Sequence, residues 1–299
     1  MNQLLAIRAF ARVVETGSFT KAADSIGLPK ASVSKLVQDL EAHLGAKLLS
    51  RTTRRLTVTA DGQAYYERTA RLVRELEDID TEFAGEHVRP RGSVRVDVGG
   101  TLATRVIIPA LPEFCARYPD VHIELGVTDR SVDLVGDNVD CAIRGGPLPD
   151  QSVVARALGT TPWVTCATPG YLQRFGRPTH PRDFERDHRL VAYRSPHTGR
   201  IYPARFQRGD EVIDVEGRAP LSTNESNAHL AAALSGIGVV HTFKYAVAPY
   251  LASGELVALM EDWRPPDYSF HVVYPPNRHM SQRVRVFIDW LAQRFKSFA

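Results

Sequence analysis

Apolar residues recur at three- and four-residue steps through the first 45 residues, the spacing that places side chains on one face of a helix. We predict one helix within residues 1–16, a second over Phe19–Ile26 and a third from Pro29 or Lys30 to residue 44. A glycine follows each run, as is common where helices end. Two short helices joined by a tight turn indicate a helix-turn-helix.

The outer face of the third helix is polar, and it carries Lys30, Ser32, Ser34, Lys35 and Gln38. Small residues let a helix approach base edges in the major groove, where lysine and glutamine supply hydrogen-bonding groups.

The segment after this helix alternates as a short strand would at Leu56–Thr59, and its preceding turn contains Arg51, Arg54 and Arg55. We interpret it as a β-wing whose arginines contact phosphate. The alternative is a solvated basic turn on a three-helix core. Because basic charge, turn and wing occur together and in order, we predict a winged helix-turn-helix DNA-binding domain over residues 1–58.

A long helix is predicted over residues 59–86, because no proline interrupts the chain before Pro90. Its apolar residues form a narrow seam in a charged surface: Tyr65, Leu72, Leu76, Ile79 and Phe83. A seam this thin favours pairing with a second copy of the chain. The alternative is that the helix packs on its own domain.

Beyond a predicted hinge at residues 87–92, the pattern changes to alternating strands and helices. Strands are expected at Val94–Val98, Val121–Val127 and Val139–Ile143, with helices at Thr101–Arg117 and Ser131–Val135. This order gives a mainly parallel sheet. We assign residues 93–160 and 268–299 to one α/β lobe and 161–267 to a second, with a cleft between them. The fold class is therefore α plus α/β.

The charge distribution supports a polyanion partner for the N-terminal domain alone. Residues 1–58 contain nine basic and four acidic side chains, whereas residues 59–86 contain three basic and eight acidic ones. No apolar run approaches the roughly 18 residues of a membrane span, and no export signal begins the chain, so we expect a cytoplasmic protein with no membrane partner. Three widely separated cysteines argue against disulfides and zinc, and we interpret them as buried thiols.

Ligands of two-lobed α/β domains bind beyond the carboxyl ends of parallel strands, near helix N-termini. The residues expected there are Gly100, Thr101, Thr128, Arg144 and Thr223, with His197 from a polar loop. Hydroxyls and helix N-termini would suit a carboxylate effector, as a hypothesis. Other roles stay open: the two threonines Thr101 and Thr223 as helix caps, Arg144 paired with a carboxylate of its own lobe, and His197 as an exposed loop residue.

The residues argue against two other classes of protein. An enzyme is not indicated, since the chain lacks the common nucleophile, phosphate-loop, zinc-protease and dinucleotide motifs, and we expect no metal and no cofactor. A solute-binding receptor of a transporter would explain the two lobes, but it would have no use for the basic N-terminal domain and would require an export signal.

The chain resembles the LysR-type transcriptional regulators over nearly its whole length. The N-terminal motifs that carry the resemblance are Gly17-Ser18-Phe19-Thr20-Lys21-Ala22-Ala23, Leu28-Pro29-Lys30-Ala31-Ser32-Val33-Ser34, Leu40-Glu41-Ala42-His43-Leu44-Gly45 and Leu56-Thr57-Val58-Thr59-Ala60-Asp61-Gly62. Further motifs are Pro109-Ala110-Leu111-Pro112-Glu113-Phe114, Asp140-Cys141-Ala142-Ile143-Arg144-Gly145-Gly146 and Ser235-Gly236-Ile237-Gly238.

The resemblance implies a dimerising linker helix, an effector domain similar to periplasmic binding proteins, and assembly as a dimer of dimers. It places the third helix and wing on DNA, and we include Ser18, Thr20 and Lys21 among the expected contacts. Effector binding would then rearrange the dimers, altering DNA bending or access of RNA polymerase. The chain departs from the family pattern at Lys30, which replaces a frequent glutamine, and at Lys35, which replaces a frequent arginine. It also departs after the first effector-domain strand, where many relatives have a serine and an aromatic-glycine pair and this chain has Gly99-Gly100-Thr101-Leu102-Ala103.

Overall fold

A computed structural model describes residues 1–51, 56–83, 89–147, 153–216, 220–276 and 280–296. The chain divides into two compact units, Met1–Val88 and Arg89–Ala299, which are described separately below.

The first unit is a three-helix core with a wing and a long helix. Its elements are α1 (Gln3–Thr16), α2 (Phe19–Ile26), α3 (Lys30–Leu44), β1 (Leu49–Arg51), β2 (Leu56–Val58) and α4 (Ala60–Phe83). Phe10, Val33, Val37 and Leu40 are fully buried, so the helical periodicity does mark a core. The helix-turn-helix prediction is confirmed. Between α2 and α3, the left-handed backbone of Gly27 (φ 67°) allows the tight turn.

The start of α4 is fixed against the wing. The Gly62 amide donates to Thr59 Oγ1 at 2.9 Å, and the same hydroxyl donates to the Leu48 carbonyl at 3.1 Å. A Cβ on Gly62 would overlap the Leu48 carbonyl oxygen. Glycine is therefore required for this close approach of helix and strand.

The second unit contains the remaining described elements. In chain order these are β3 (Gly92–Val98), α5 (Gly100–Leu102, a π-helical turn over Ala103–Ile107, and Ile108–Arg117), β4 (Val121–Val127), β5 (Cys141–Gly145), β6 (Val154–Thr161), β7 (Trp163–Ala167), α6 (Pro169–Phe175), a 3₁₀ turn (Pro181–Glu185), β8 (Ala192–Arg194), β9 (Ile201–Tyr202), β10 (Ala204–Arg208), β11 (Glu211–Val215), β12 (Ser222–Thr223), α7 (Ser226–Leu234), β13 (Val240–Phe243), α8 (Lys244–Ser253), β14 (Val257–Leu259), β15 (Tyr268–Tyr274) and α9 (Gln282–Lys296).

These elements form two α/β lobes, as predicted. Lobe 1 is built on a sheet with strand order β4-β3-β5-β15-β6, in which β4, β3 and β5 are parallel and β15 is antiparallel to both its neighbours. Its core joins β3, α5 and α9 through buried Val96, Phe114 and Phe287. Lobe 2 contains the antiparallel sheet β13-β7-β14, the sheet β12-β8-β9 and the hairpin β10-β11.

Three details of the second unit differ from the sequence predictions. Strand β6 was not predicted, and it pairs with β15 more than 100 residues later in the chain. The predicted helix at Ser131–Val135 is wrong, because the Asp133 side chain accepts hydrogen bonds from the amides of Val135 and Gly136 and holds a turn instead. Cys115 is exposed rather than buried.

The helices can be compared with the length and apolar character that a membrane span requires. None of those in the described part of the chain is both long and apolar enough to cross a bilayer.

Candidate DNA-binding surface and effector cleft

The helix α3 separates its side chains cleanly between two environments. Val33 and Val37 are fully buried, whereas Lys30, Lys35 and Gln38 are exposed and Ser32 and Ser34 are half-buried. The polar residues that the sequence placed on one face are thus together on the solvent side. This face offers a DNA groove two cations, an amide and small hydroxyl side chains.

Three further predicted DNA contacts lie at the start of α2, which packs against α3. Thr20 and Lys21 are exposed, while half-buried Ser18 caps the helix by accepting from the Lys21 amide at 3.4 Å. Ser18 therefore has a structural role whatever it contacts in a complex.

The wing is an antiparallel pair with Leu49 opposite Val58 and Arg51 opposite Leu56. Arg51 ends β1, so the backbone places it at the distal end of the wing. Arg54 and Arg55 lie outside the described residues.

A buried carboxylate fixes the wing to α3, and the sequence analysis missed it. Glu41 Oε1 accepts from the amides of Leu48 and Leu49 at 2.9 and 3.1 Å, and Oε2 pairs with Lys47 Nζ at 3.0 Å. Burial alone would raise the pKa of Glu41, but these hydrogen bonds outweigh it and hold the pKa below its ordinary value. The available signal was an acidic residue directly beside Leu40 on the apolar face.

The apolar seam of α4 is divided between two faces. Tyr65 lies against Phe10 of its own domain, with ring centroids 6.0 Å apart, and neighbouring Val73 is buried. Leu72 and Leu76 are 58% and 38% exposed. Tyr65 thus follows the alternative of packing on its own domain, whereas pairing of the exposed leucines with a second copy stays a prediction. The side chains of Ile79 and Phe83 lie outside the description.

In the second unit, the start of α5 faces lobe 2. Thr101 is buried, its amide donates to Ser226 Oγ at 2.9 Å, and its hydroxyl lies 3.2 Å from the Tyr245 hydroxyl. Further along α5, the Thr104 hydroxyl donates to Asn227 Oδ1 at 3.1 Å. Thr101 therefore joins the two lobes rather than capping a helix.

Asp129, two residues beyond β4, lies at the centre of this contact. Its Oδ1 accepts from the Gly100 amide at 2.9 Å, and its Oδ2 accepts from the Ser226 amide and from the Tyr193 hydroxyl at 3.0 Å. Burial, and then the Asp129 charge, raise the pKa of Tyr193 well above its ordinary value, so this phenol is a neutral donor.

The remaining predicted cleft residues have different surroundings. Arg144 Nη2 pairs with Asp97 Oδ1 at 2.5 Å within lobe 1, which is the alternative left open by the sequence. Thr128 Oγ1 accepts from the Arg130 amide at 3.1 Å.

Thr223 and His197 make hydrogen bonds to residues of their own segments. Thr223 ends β12, where its hydroxyl is 3.5 Å from the Glu225 carbonyl. His197 is exposed, and its amide donates to Ser195 Oγ at 3.3 Å. The hydrogen bonds thus bring together Gly100, Thr101 and Asp129, the residue after Thr128, whereas the His197 amide bonds within its own loop.

Comparison with known families settles what these two units are. Residues 4–63 match the bacterial regulatory helix-turn-helix protein, lysR family, and residues 87–296 match the LysR substrate binding domain. The chain belongs to the LysR family of transcriptional regulators.

Relatives of this LysR-type regulator match it along almost their full length. It is 38% identical to the HTH-type transcriptional regulator YhjC of Escherichia coli, across 100% of this chain and 99% of YhjC. It is also 38% identical to an HTH-type transcriptional repressor of Pseudomonas aeruginosa, across 99% of this chain and 93% of the repressor.

Solved full-length regulators share the architecture. CrgA from Neisseria meningitidis, a LysR-type transcriptional regulator, has a TM-score of 0.63 and 28% identity, covering 97% of this chain and 98% of CrgA. The Vibrio cholerae virulence activator AphB has a TM-score of 0.61 and 27% identity, covering 97% and 98%. The winged helix-turn-helix and two-lobed regulatory domain are therefore those of the family.

The effector site between the lobes stays a prediction, and three residues that make hydrogen bonds between the lobes were not among those predicted for it. Predicted Gly100 and Thr101 take part in the contacts between the lobes, together with Asp129, Ser226 and Tyr193, which were not predicted. For Asp129 and Ser226 the available signal was their position one and three residues after the predicted Thr128 and Thr223, whereas Tyr193 had no such signal. Within the described residues, no group of histidine, cysteine and acidic side chains is arranged to hold a metal ion.

Proposed function

We propose that this regulator binds two half-sites of a promoter as a dimer, with α3 in each major groove and the wing on the phosphate backbone. The observation that supports this proposal is that the apolar face of α3 is buried while Lys30, Lys35 and Gln38 are exposed. Two copies of such a helix on a two-fold axis read half-sites about one helical turn or a multiple of it apart.

The second copy is proposed to pair along α4. Leu72 and Leu76 remain exposed there, and Ile79 and Phe83 continue the same spacing of three and four residues. Burying such a seam against its own copy removes apolar surface from water. A dimer of dimers, as the family resemblance implies, would place two such pairs on one promoter.

A small-molecule effector is proposed to bind between the two lobes. The start of α5 and the start of α7 meet there, and each presents a backbone N–H group that donates to the Asp129 carboxylate. This supports a carboxylate as the effector class. A panel of carboxylates screened by thermal shift tests it, and no member raising the midpoint would count against that class.

Effector binding would act on transcription by favouring one arrangement of the lobes over another. Only a difference in affinity for two arrangements can shift their populations. The dimers would then be set differently on DNA, altering its bending or the access of RNA polymerase.

The test is a footprint of the purified chain on the DNA upstream of its own coding region, repeated over a salt series. We expect protection of an interrupted palindrome that weakens as salt rises. The absence of protection at every salt concentration, there and on a genomic fragment library, would overturn the proposal.

A further inference from the structure

The cleft between the lobes already contains an anion that belongs to the chain. Three donors converge on the Asp129 carboxylate: the Gly100 amide of lobe 1, and the Ser226 amide and Tyr193 hydroxyl of lobe 2. Asp129 is itself in lobe 1, two residues beyond β4. Two of its three hydrogen bonds therefore cross between the lobes.

The turn that carries Asp129 is fixed on both sides. The Thr128 amide continues the strand pairing by donating to the Val98 carbonyl at 3.0 Å, and the Arg130 amide donates to Thr128 Oγ1 at 3.1 Å. A carboxylate on such a turn needs little further ordering to reach its donors, so its hydrogen bonds cost less conformational entropy.

The two amide donors belong to the first turns of two helices, α5 and α7, where backbone N–H groups have no partner within the helix. At α7, Asp129 accepts from Ser226, and Glu225 accepts from the amides of Asn227 and Ala228 at 2.9 and 2.7 Å. Lobe 1 thus completes the N-terminal cap of a helix in lobe 2. The partial positive charge of both helix ends favours the anion there.

The close approach also depends on Gly100. A Cβ at this position would overlap Glu225 Oε1 and come within 2.6 Å of Asn227 Nδ2. The missing side chain lets the start of α5 lie directly against the start of α7.

We propose that Asp129 is an intramolecular latch, whose carboxylate holds the first turns of α5 and α7 together and must leave its donors before the lobes can separate. The regulatory consequence rests on the proposed effector function: an effector that stabilises an open arrangement acts against the latch, and a carboxylate effector competes with it directly. A tethered group competes at an effective concentration on the order of millimolar, so simple carboxylates displace it poorly.

The first experiment measures amide hydrogen exchange in full-length wild-type protein, Asp129→Ala, Asp129→Asn and a matched control, Glu113→Ala. Glu113 is an exposed carboxylate on α5 of the same lobe. Loss of a hydrogen bond to a charged group predicts about ten-fold faster exchange in segments containing Gly100 and Ser226 for Asp129→Ala. Exchange in Glu113→Ala stays at the wild-type rate. Equal rates in Asp129→Ala and Glu113→Ala would overturn the latch.

The second experiment adds sodium acetate or, at equal ionic strength, sodium chloride. In Asp129→Ala, acetate fills the space of the missing carboxylate, slows exchange at both segments and raises the melting temperature relative to chloride. Asp129→Asn is uncharged at this position, as Asp129→Ala is, but its side chain leaves no space for acetate. Acetate therefore has no specific effect on Asp129→Asn. Equal acetate effects in all variants would contradict the proposal.

A third variant keeps the test valid if Asp129→Ala does not fold. Tyr193→Phe removes one of the donors and leaves the carboxylate, so exchange rises at Ser226 more than at a distant segment of lobe 2. An unchanged rate at Ser226 in both Tyr193→Phe and Asp129→Asn would overturn the latch. These exchange experiments test only the contact between the lobes. The promoter footprint tests the proposed function separately.

Discussion

The solvent face of α3 and the cleft between the lobes are built from the same kinds of polar group, but they use them in opposite ways. Lys30, Lys35 and Gln38 on α3 are exposed to solvent. In the cleft, Thr101 and Arg144 are already hydrogen-bonded to other groups of the protein. The proposed DNA surface therefore presents these polar groups to solvent, whereas a ligand of the cleft must replace contacts that the chain makes with itself.

This difference separates two kinds of mutational effect. A change on the DNA surface should alter binding and leave stability intact, because surface substitutions away from packed features cost little. A change in the cleft should alter stability first, because it leaves a buried polar group without its partner. The following predictions test that separation.

The largest effect is expected for Arg144→Met. It leaves Asp97, whose side chain is 6% exposed, without its ion-pair partner, and losing one member of a buried pair costs about 3 kcal/mol or more. Arg156→Met is the control, because Arg156 and Asp289 are 46% and 53% exposed and such pairs contribute less than about 1 kcal/mol. Unfolding of both variants by denaturant gives the comparison.

The pH dependence of the Arg144→Met variant sharpens this result. Burial raises the pKa of Asp97 above its ordinary value of 3.8 even beside Arg144. A raised pKa in the folded state means that stability falls as pH rises through the interval above 3.8. The deficit of the variant should therefore shrink on acidification. A stability equal to wild type, with effector response lost, would instead make Arg144 a ligand-binding residue.

On the DNA surface, Lys35→Glu should weaken operator binding by roughly 100-fold, because a donor is lost and a carboxylate faces the DNA. The melting temperature should not change, since Lys35 is exposed. Lys296→Glu, an exposed lysine of α9 in the other unit, is the charge-matched control. Fluorescence anisotropy on the footprinted fragment measures both. Equal affinities for the two variants would remove α3 from the interface.

A smaller effect is expected for Gly62→Ala, because its Cβ would overlap the Leu48 carbonyl. The backbone must shift, at a cost of about 2 kcal/mol to the N-terminal domain. Gly170→Ala is the control, since a Cβ there meets nothing within 4 Å. Thermal unfolding distinguishes them, and a Gly62→Ala domain as stable as wild type would refute the close approach of α4 and the wing.

The smallest effect is expected for Glu41→Gln, which keeps one acceptor for the wing amides but loses the charge that pairs with Lys47. The cost is about 1 kcal/mol at neutral pH. The pKa of Glu41 is held below its ordinary value of 4.5, so its contribution is present above 4.5 and is lost as pH falls through the folded-state pKa. Stability curves of the two proteins should therefore converge in acid; curves that remain parallel would contradict this.

The sequence predicted the N-terminal helices well because their contacts are local. Helical spacing, a cap at Ser18 and the glycine after each run are all signals within a few residues. The wing was predicted for the same reason, since β1 and β2 are nearly adjacent.

Long-range partners explain what the sequence analysis missed. Strand β6 lacks a distinct alternating pattern and is defined by its pairing with β15. Asp129 is 97 residues from Ser226, so no local pattern indicates that the two meet. For the same reason, sequence alone did not distinguish an Arg144 that binds ligand from one that pairs with Asp97.

The central claim is that the exposed face of α3 reads a specific DNA sequence. Its most direct test is the dissociation constant of full-length protein for the footprinted fragment and for an unrelated fragment of equal length, over a salt series. We predict at least about 10³-fold tighter binding to the footprinted fragment, with affinity for both falling steeply as salt rises. Equal affinity for the two fragments at every salt concentration would contradict the account.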